Sequence, residues 1–387
     1  MNIMNNIIEQ IKKNECYGCA ACLHICSYNA ISMKNDDKGF LYPTIDKALC
    51  VNCGLCTQAC PVKNEKLEKK TARGIYGVVN NDEEERLQST SGGLFSLIAD
   101  YYIKNRGAIY GAIFKNGEIK HIRVTEDYSA MRGAKYSQSN LDGVYNSISS
   151  DLKRNTLVFF VGTPCQCAAL KLFLSAKRIN TKNLTVVDFI CHGVVSPLIL
   201  HDYIFYAEKK ANKKILMHIF RDKIKGWNVY TESNVFEDGT VDNQSYESQL
   251  YKRFFLSNMC LRESCYTCKF ATKDRVGDIT MGDFWGLDKS HPEKFDKKGV
   301  SFAMINSEKG IKIFDLIKDK MNYFPVNIED TTQPHLTRSV SKSKEYDAFW
   351  KDYSKGFNYV VVKRFHGGKI RRLISIIYNK LRVTFKK

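Results

Sequence analysis

Between Cys16 and Cys60 the chain reads Cys16-Tyr-Gly-Cys19-Ala-Ala-Cys22-Leu-His-Ile-Cys26, then a polar insert, then Cys50-Val-Asn-Cys53-Gly-Leu-Cys56-Thr-Gln-Ala-Cys60-Pro61. Eight of the fourteen cysteines thus fall in two copies of one spacing, C-x-x-C-x-x-C-x-x-x-C. Three thiolates on a tight loop reach three corners of a cubic iron–sulfur centre, and the fourth corner takes a ligand from a distant segment. The expected sets are Cys16, Cys19, Cys22 and Cys60 for one 4Fe–4S cluster, and Cys50, Cys53, Cys56 and Cys26 for the second. Crossing the fourth ligands staples the two halves together.

This is the pattern of a bacterial-type dicluster ferredoxin. Gly18, Ala20, Ala21 and Gly54 let the backbone pass close to the clusters, and Pro61 stops the chain after the second copy; Ser27 stands where the first copy usually has proline too. The alternatives are zinc sites, which favour separated C-x-x-C pairs, and disulfides, which are rare in a reducing compartment.

At 387 residues the chain exceeds a bare ferredoxin several-fold, so a further core is expected. Its opening residues lack the features of a secretory signal, and no stretch approaches the roughly 20 apolar residues that cross a bilayer. The expected compartment is the cytoplasm. The net charge of +18 is concentrated at one end: residues 351–387 hold eleven Lys or Arg against one Asp. No nucleic-acid-binding motif accompanies that charge, so nucleic acid is not an expected partner.

Residues 27–49 alternate apolar and polar around Asp36-Asp37-Lys38-Gly39, which predicts a hairpin. The expected division is a dicluster ferredoxin domain over 1–62, a charged linker over 63–71, an oxidoreductase domain over 72–330 and a basic extension over 331–387. From residue 72 onward strand and helix signals alternate: GIYGVVN, a helix from Gly93 to Asn105, GAIYGAIF, EIKHIRVT, TLVFFVG, a helix from Pro164, LTVVDFIC, a helix from Pro197 and ILMHIFRDK. A hairpin turning at Asp238-Gly239, a helix over 249–258, the strand DITMGDFWG, and a strand and helix over 299–320 follow. The fold class is α+β or mixed α/β.

Four turns carry chemistry. Ser89-Thr90-Ser91-Gly92-Gly93 precedes a helix, with a serine N-cap or a phosphate site as its readings. In Val161-Gly162-Thr163-Pro164-Cys165-Gln166-Cys167, Thr163 is the expected N-cap, and the helix end is expected to acidify Cys165, while Cys167 reads as a buried packing residue. Cys191-His192-Gly193 ends a strand at the edge where α/β proteins place ligands. The last is Cys260-Leu-Arg-Glu-Ser-Cys265-Tyr-Thr-Cys268, followed by Gly282-Asp283-Phe284-Trp285-Gly286. Together Cys165, Cys191, Cys265 and Cys268 suit a third 4Fe–4S cluster, with zinc as the rival.

The ordered motifs SGGLFSLIADYYIKNRGAIYGAIF, RGAKYSQS, VGTPCQCAALK, DFICHGVVSP, FRDKIKGW, LRESCYTCKF and DITMGDFWG resemble the coenzyme F420 hydrogenase/dehydrogenase beta-subunit family. The resemblance runs from about Glu15 to Leu287. It implies an α/β flavin-binding domain with its own cluster, and an FAD- and 4Fe–4S-dependent oxidoreductase that passes electrons between a low-potential carrier and an organic acceptor. It also implies flavin contacts at Ser91, Gly92, Gly93, Lys135, Ser137 and Gln138. Ala134, Cys167 and Val195 depart from the family's usual serine, aliphatic residue and proline. His192 and Asp283 are the catalytic candidates, as proton donors near the flavin, each with a structural role as its alternative. The other function class is a non-catalytic electron-transfer subunit that docks on a larger enzyme through a redox partner protein.

Between Gly367 and Lys387, Ile370, Leu373, Ile374, Ile377 and Leu381 form one helical stripe bordered by Lys369, Arg371, Arg372, Lys380 and Arg382. The stripe suits peripheral contact with the inner face of an anionic membrane, or packing on the chain's own domain.

Overall fold

The computed structural model describes residues 11–64 and 67–365. The stripe at Gly367–Lys387 lies outside them. In the first unit, helix α1 (Ala21–Ile25) follows Cys16 and Cys19 and contains Cys22, β1 (Ile31–Asn35) and β2 (Leu41–Ile45) form the hairpin, and α2 (Leu55–Gln58) follows Cys53. Ile31 pairs with Ile45 and Asn35 with Leu41 across the turn at Asp36–Gly39, whose Asp36 carboxylate accepts from the backbone N–H groups of Lys38 and Phe40.

The larger unit begins with β3 (Gly74–Asn80), α3 (Glu83–Gln88), α4 (Leu94–Lys104), β4 (Ala108–Lys115), β5 (Glu118–Val124) and α5 (Val144–Lys153). Then come β6 (Val158–Gly162), α6 (Pro164–Ala176), β7 (Leu184–Phe189), α7 (Pro197–Ala211), β8 (Ile215–Asp222), β9 (Thr231–Phe236), β10 (Val241–Asp242) and α8 (Tyr251–Ser257). The chain closes with β11 (Ile279–Asp283), α9 (Leu287–Ser290), β12 (Ser301–Ile305), α10 (Glu308–Ile317), β13 (Met321–Pro325), α11 (Tyr346–Tyr353) and α12 (Phe357–Arg364).

Among the described residues the main sheet has eight strands in the order β13-β3-β12-β11-β7-β6-β4-β5. The central pairs β4–β6, β6–β7 and β7–β11 are parallel. Antiparallel pairs flank them at both sides. Parallel strands covered on both faces read as continuous apolar runs, and every residue of Val158–Gly162 is buried. Successive side chains point to opposite faces. Phe160 therefore packs under α5 and α6, whereas Phe159 packs under α4 and α10. Truncating either ring to alanine is expected to cost about 3–5 kcal/mol.

Three of the parallel strands carry candidate site residues at their C-terminal ends, where open α/β sheets place ligands. Strand β6 leads into Thr163 and Cys165, β7 into Cys191 and β11 into Asp283. A separate antiparallel sheet, β10-β9-β8, carries Arg221 at the end of β8. Helices α11 and α12 place Phe349, Tyr353, Val360 and Val361 in one core with α7 and α8. Among the described residues, no helix is long and apolar enough to cross a membrane.

Candidate redox centres and their junction

The first unit contains two cavities, and their linings separate the eight cysteines into the crossed sets. One is lined by Cys16, Cys19, Cys22 and Cys60 with Tyr17, Gly18, Ala20 and Met33. The other is lined by Cys26, Cys50, Cys53 and Cys56 with Tyr28, Val51 and Gly54. Burial first, and then the charges of neighbouring cysteines, push the Cys19 and Cys22 thiols well above their ordinary range. Thiols so placed resist separate ionisation, and a cationic iron–sulfur core lets them ionise together. The donor set and the cavities fit 4Fe–4S clusters.

Gly18 has a left-handed backbone, φ +62°. A Cβ there would stand 2.4 Å from Gln138 Nε2 and 2.8 Å from Arg262 Cζ. The glycine is needed because the second unit presses on the cluster loop.

The loops of the second cysteine group are drawn together by backbone bridges. Val195 pairs with Ser137 on one side and Leu261 on the other, and the N–H of Arg262 donates to Val194 O. At Gly193, φ +145°, a Cβ would lie 3.3 Å from Cys265 Cβ, so a glycine lets the Cys191 loop approach the Cys265 turn. Cys165 is pushed up to about 12, first by burial and then by the charge of Cys268. Cys265 is pushed up to about 12 in the same way, and Cys191 is raised by burial and by Cys265, Cys165 and Cys268. The expected acidification of Cys165 is overturned, because burial outweighs the Thr163 hydroxyl 3.1 Å from its sulfur. Thr163 does cap α6, in a capping box with Gln166.

Cys167 and Cys260 are fully buried away from this group. The Cys167 thiol points at Gly162 O and Val187 O, and the Cys260 thiol at Phe254 O. Among the described residues, no three His, Cys, Asp or Glu side chains are gathered closely enough to hold a single metal ion.

The serine N-cap expected before α4 is replaced by Gly93, while Ser89 follows the additional helix α3. The Ser91 hydroxyl donates to Val300 O at 2.6 Å, and the Gly92 N–H donates to Ser301 Oγ at 2.9 Å. Lys135 donates to Ala130 O, Arg132 O and Gly133 O around its own loop. Ser137 donates to Val195 O. Gln138 donates to Gly18 O and accepts from Arg262. Ser91, Gly92, Lys135, Ser137 and Gln138 are thus each engaged by the protein itself, Gln138 at the junction between the two units.

His192 is held between Asn258 Oδ1 and His335 Nε2, each at 2.8 Å, and burial lowers it to about 4. The ring is neutral at pH 7 with both nitrogens occupied. Asp283 is raised, chiefly by burial and against the Arg221 cation. Trp227 Nε1 lies 3.4 Å from Asp283 Oδ1 and Arg221 Nη2 3.8 Å from Oδ2.

Sequence reasoning assigned no role to the aromatic surroundings of that carboxylate. Trp227 and Trp285 stack at 5.7 Å, and Arg221 lies over Tyr230 and Trp285 at 4.9 and 5.0 Å. Lys223 donates to Arg86 O, Ser91 O and Lys298 O, tying this corner to the Ser91 loop. Tyr136 stacks on Phe255 at 4.2 Å and Phe255 meets His192 at 4.7 Å, so rings connect the corner to the Cys191 loop. The signal was the pair of motifs FRDKIKGW and GDFWG, whose charged and aromatic residues meet only across two sheets.

Residues 155–330 match the family described as the C terminus of the coenzyme F420 hydrogenase/dehydrogenase beta subunit, and residues 15–64 match the 4Fe–4S dicluster domain. The chain is 26% identical over 336 residues to the F subunit of F(420)H(2) dehydrogenase from Methanosarcina mazei, covering 81% of this chain and 86% of that protein. It is 36% identical over 81 residues to the isethionate sulfite-lyase activating enzyme of Oleidesulfovibrio alaskensis, covering 20% of this chain and 25% of that one. Among solved structures it is similar, with a TM-score of 0.46 and 16% identity, to a chain of the xenon-derivatised F420-reducing [NiFe] hydrogenase complex from Methanosarcina barkeri, over 75% of this chain and 95% of that chain. With the cysteine sets and the sheet in place, residues 155–330 are a C-terminal region of the coenzyme F420 hydrogenase/dehydrogenase beta-subunit type, joined to a 4Fe–4S dicluster domain over residues 15–64.

Proposed function

We propose that the protein is an iron–sulfur flavoprotein oxidoreductase carrying electrons from a low-potential carrier, through the dicluster domain and a third cluster at Cys165, Cys191, Cys265 and Cys268, to FAD and an organic acceptor. The observation that carries this reading is the junction: the loop bearing Cys16 and Gly18 sits against Gln138 and Arg262, three residues before Cys265. The clusters supply one-electron steps, and a flavin supplies the conversion to two-electron chemistry.

The chain's own residues hold the route in place. Arg262 and Gln138 clamp the first cluster loop to the second cysteine group, and Gly193 lets that group close. The tryptophan pair with Arg221 and Asp283 presents ring surfaces and a raised carboxyl at the ligand-binding edge of the sheet. The flavin contacts proposed are Ser91, Gly92, Gly93, Lys135, Ser137 and Gln138; within the chain the Gly92 amide donates to Ser301 and Lys135 to carbonyls of its own loop. The relative's designation as a dehydrogenase acting on F(420)H(2) supports a deazaflavin-type carrier on one side.

A specific feature favours a second reading, an electron-transfer subunit that docks on a larger enzyme. Around the Cys26, Cys50, Cys53 and Cys56 cavity, Tyr28 and Val51 are each 53% exposed and Leu49 is 49% exposed. Such an apolar rim suits a protein partner.

Anaerobic purification with iron, sulfide and flavin quantitation tests the proposal. About twelve irons and one flavin per chain support it, whereas about eight irons leave only the dicluster pair. Turnover of candidate acceptors by the isolated protein then separates the readings, since an adapter reduces dyes and nothing organic.

A further inference from the structure

Arg262 is one of the largest fully buried side chains, 1% exposed. Its guanidinium spans the junction. Nε donates to Cys16 O at 2.7 Å, Nη1 to Gln138 Oε1 at 3.0 Å and Nη2 to Leu41 O at 3.0 Å. It also lies over the Tyr42 ring at 4.2 Å and the Phe40 ring at 5.5 Å. All three contacts are to neutral acceptors. Among the described residues no carboxylate forms an ion pair with it, and its chain neighbour Glu263 is turned toward Lys38.

A guanidinium taken out of water without a counter-charge is strongly unfavourable. The other fully buried arginine obeys that rule, since Arg275 Nη2 meets Asp188 Oδ1 at 3.1 Å. Around Arg262 the available negative charge comes from thiolates. Cys16 supplies the carbonyl that Nε binds, and on the other side the Arg262 carbonyl accepts from the Cys265 N–H at 2.9 Å. Thiolate-ligated 4Fe–4S clusters are net anions, so two such centres, one on each side, provide the missing compensation.

We infer that Arg262 is the shared counter-ion of two clusters, the one held by Cys16, Cys19, Cys22 and Cys60 and the one held by Cys165, Cys191, Cys265 and Cys268, and is a positioning residue for electron transfer between them. The inference rests on the three-cluster reading above. When one electron passes across the junction, the donor centre is oxidised, the acceptor centre is reduced, and no proton or ligand moves. The summed charge around Arg262 is then the same before and after the transfer, so the guanidinium need not reorganise. Each centre separately becomes easier to reduce, because the cation favours the added electron.

The test uses the full-length chain with its clusters, comparing the parent with Arg262→Gln and Arg262→Lys. Iron and sulfide are quantified first, and midpoint potentials are then read by electron paramagnetic resonance during reductive titration. In R262Q the two junction clusters are expected to be about tenfold harder to reduce at a fixed potential, a lowering of about 59 mV for one electron. R262K, which keeps the charge, is expected to recover most of that shift. The Cys26, Cys50, Cys53 and Cys56 cluster, whose cavity-lining residues take no hydrogen bond from Arg262, is the internal reference and stays put. Unchanged potentials in an R262Q protein that retains its iron overturn the inference. If R262Q does not hold its clusters, Gln138→Leu carries the test: it removes a neutral contact and keeps the cation, so both junction potentials are expected to stay close to the parent's, and a lowering of about 59 mV in this variant overturns the inference. A parent with only about eight irons defeats the three-cluster reading instead, while the shift of the Cys16 cluster remains measurable.

Discussion

Two buried arginines, thirteen positions apart along the chain, show two ways of keeping a cation inside a protein. Arg275 lies beneath the parallel strands, where Asp188 pairs with it and also accepts from Thr280 Oγ1 and the Gly277 N–H. Arg262 lies at the junction with the dicluster domain, where among the described residues it hydrogen-bonds a side-chain amide and two carbonyls and lies over the Tyr42 and Phe40 rings. The first site is complete within the polypeptide, so it reads as a structural lock. The second is complete only when anionic clusters flank it. His121 shows a third solution, which is to discard the charge. It is buried beside Val161 O, and burial holds it down to about 4.

The contrast can be broken most visibly at the cysteines. Cys265→Ser is expected to remove about a third of the bound iron, roughly four of twelve atoms, while Cys260→Ala leaves iron content unchanged. Equal iron in the two variants, measured by colorimetric assay after anaerobic purification, removes the second cluster from Arg262's surroundings.

Asp188→Ala strands Arg275 without a counter-ion. Equilibrium denaturation is expected to show a loss of about 3–5 kcal/mol, and a loss below about 1 kcal/mol contradicts its role as a lock. Arg262→Met should behave differently with and without clusters. Cluster loading is expected to stabilise the parent by about 1–3 kcal/mol more than it stabilises R262M, and equal gains in paired denaturation curves dissolve the distinction between the two arginines.

The smallest effect belongs to His121. Between about pH 4 in the folded chain and about pH 6.5 in the unfolded chain, only the unfolded state binds the extra proton. Its contribution is therefore fully present above about pH 6.5 and is lost as pH falls toward 4. His121→Gln is expected to flatten the loss between pH 8 and pH 5 by about 1–2 kcal/mol; identical pH profiles place the sensitivity elsewhere.

Much of the architecture was legible because it depends on local spacing. Apolar runs such as TLVFFVG announced strands buried on both faces, and Asp36–Gly39 announced the hairpin. The serine N-cap before α4 was misread because Ser89 follows a short helix, and because a glycine takes the cap while Ser91 turns back to Val300. Cys165 was misjudged for a different reason: a helix N-terminus lowers a thiol's pKa only where burial does not win. Strand β13 and helices α11 and α12 were missed, since their apolar faces are matched by partners such as Tyr76 and Phe254, far away in the chain.

By itself the sequence determined the dicluster domain, because three thiolates at C-x-x-C-x-x-C spacing share a loop whatever surrounds it, and it determined the run of strands whose ends carry Cys165, Cys191 and Asp283. Only the tertiary structure decided that Gly18 must be a glycine, that Gln138 belongs to the junction between the units, and that Arg262 has no carboxylate partner among the described residues. Those three facts concern what approaches from elsewhere in the fold. Burial and electrostatic compensation are properties of a neighbourhood, and a linear chain does not display its neighbourhoods.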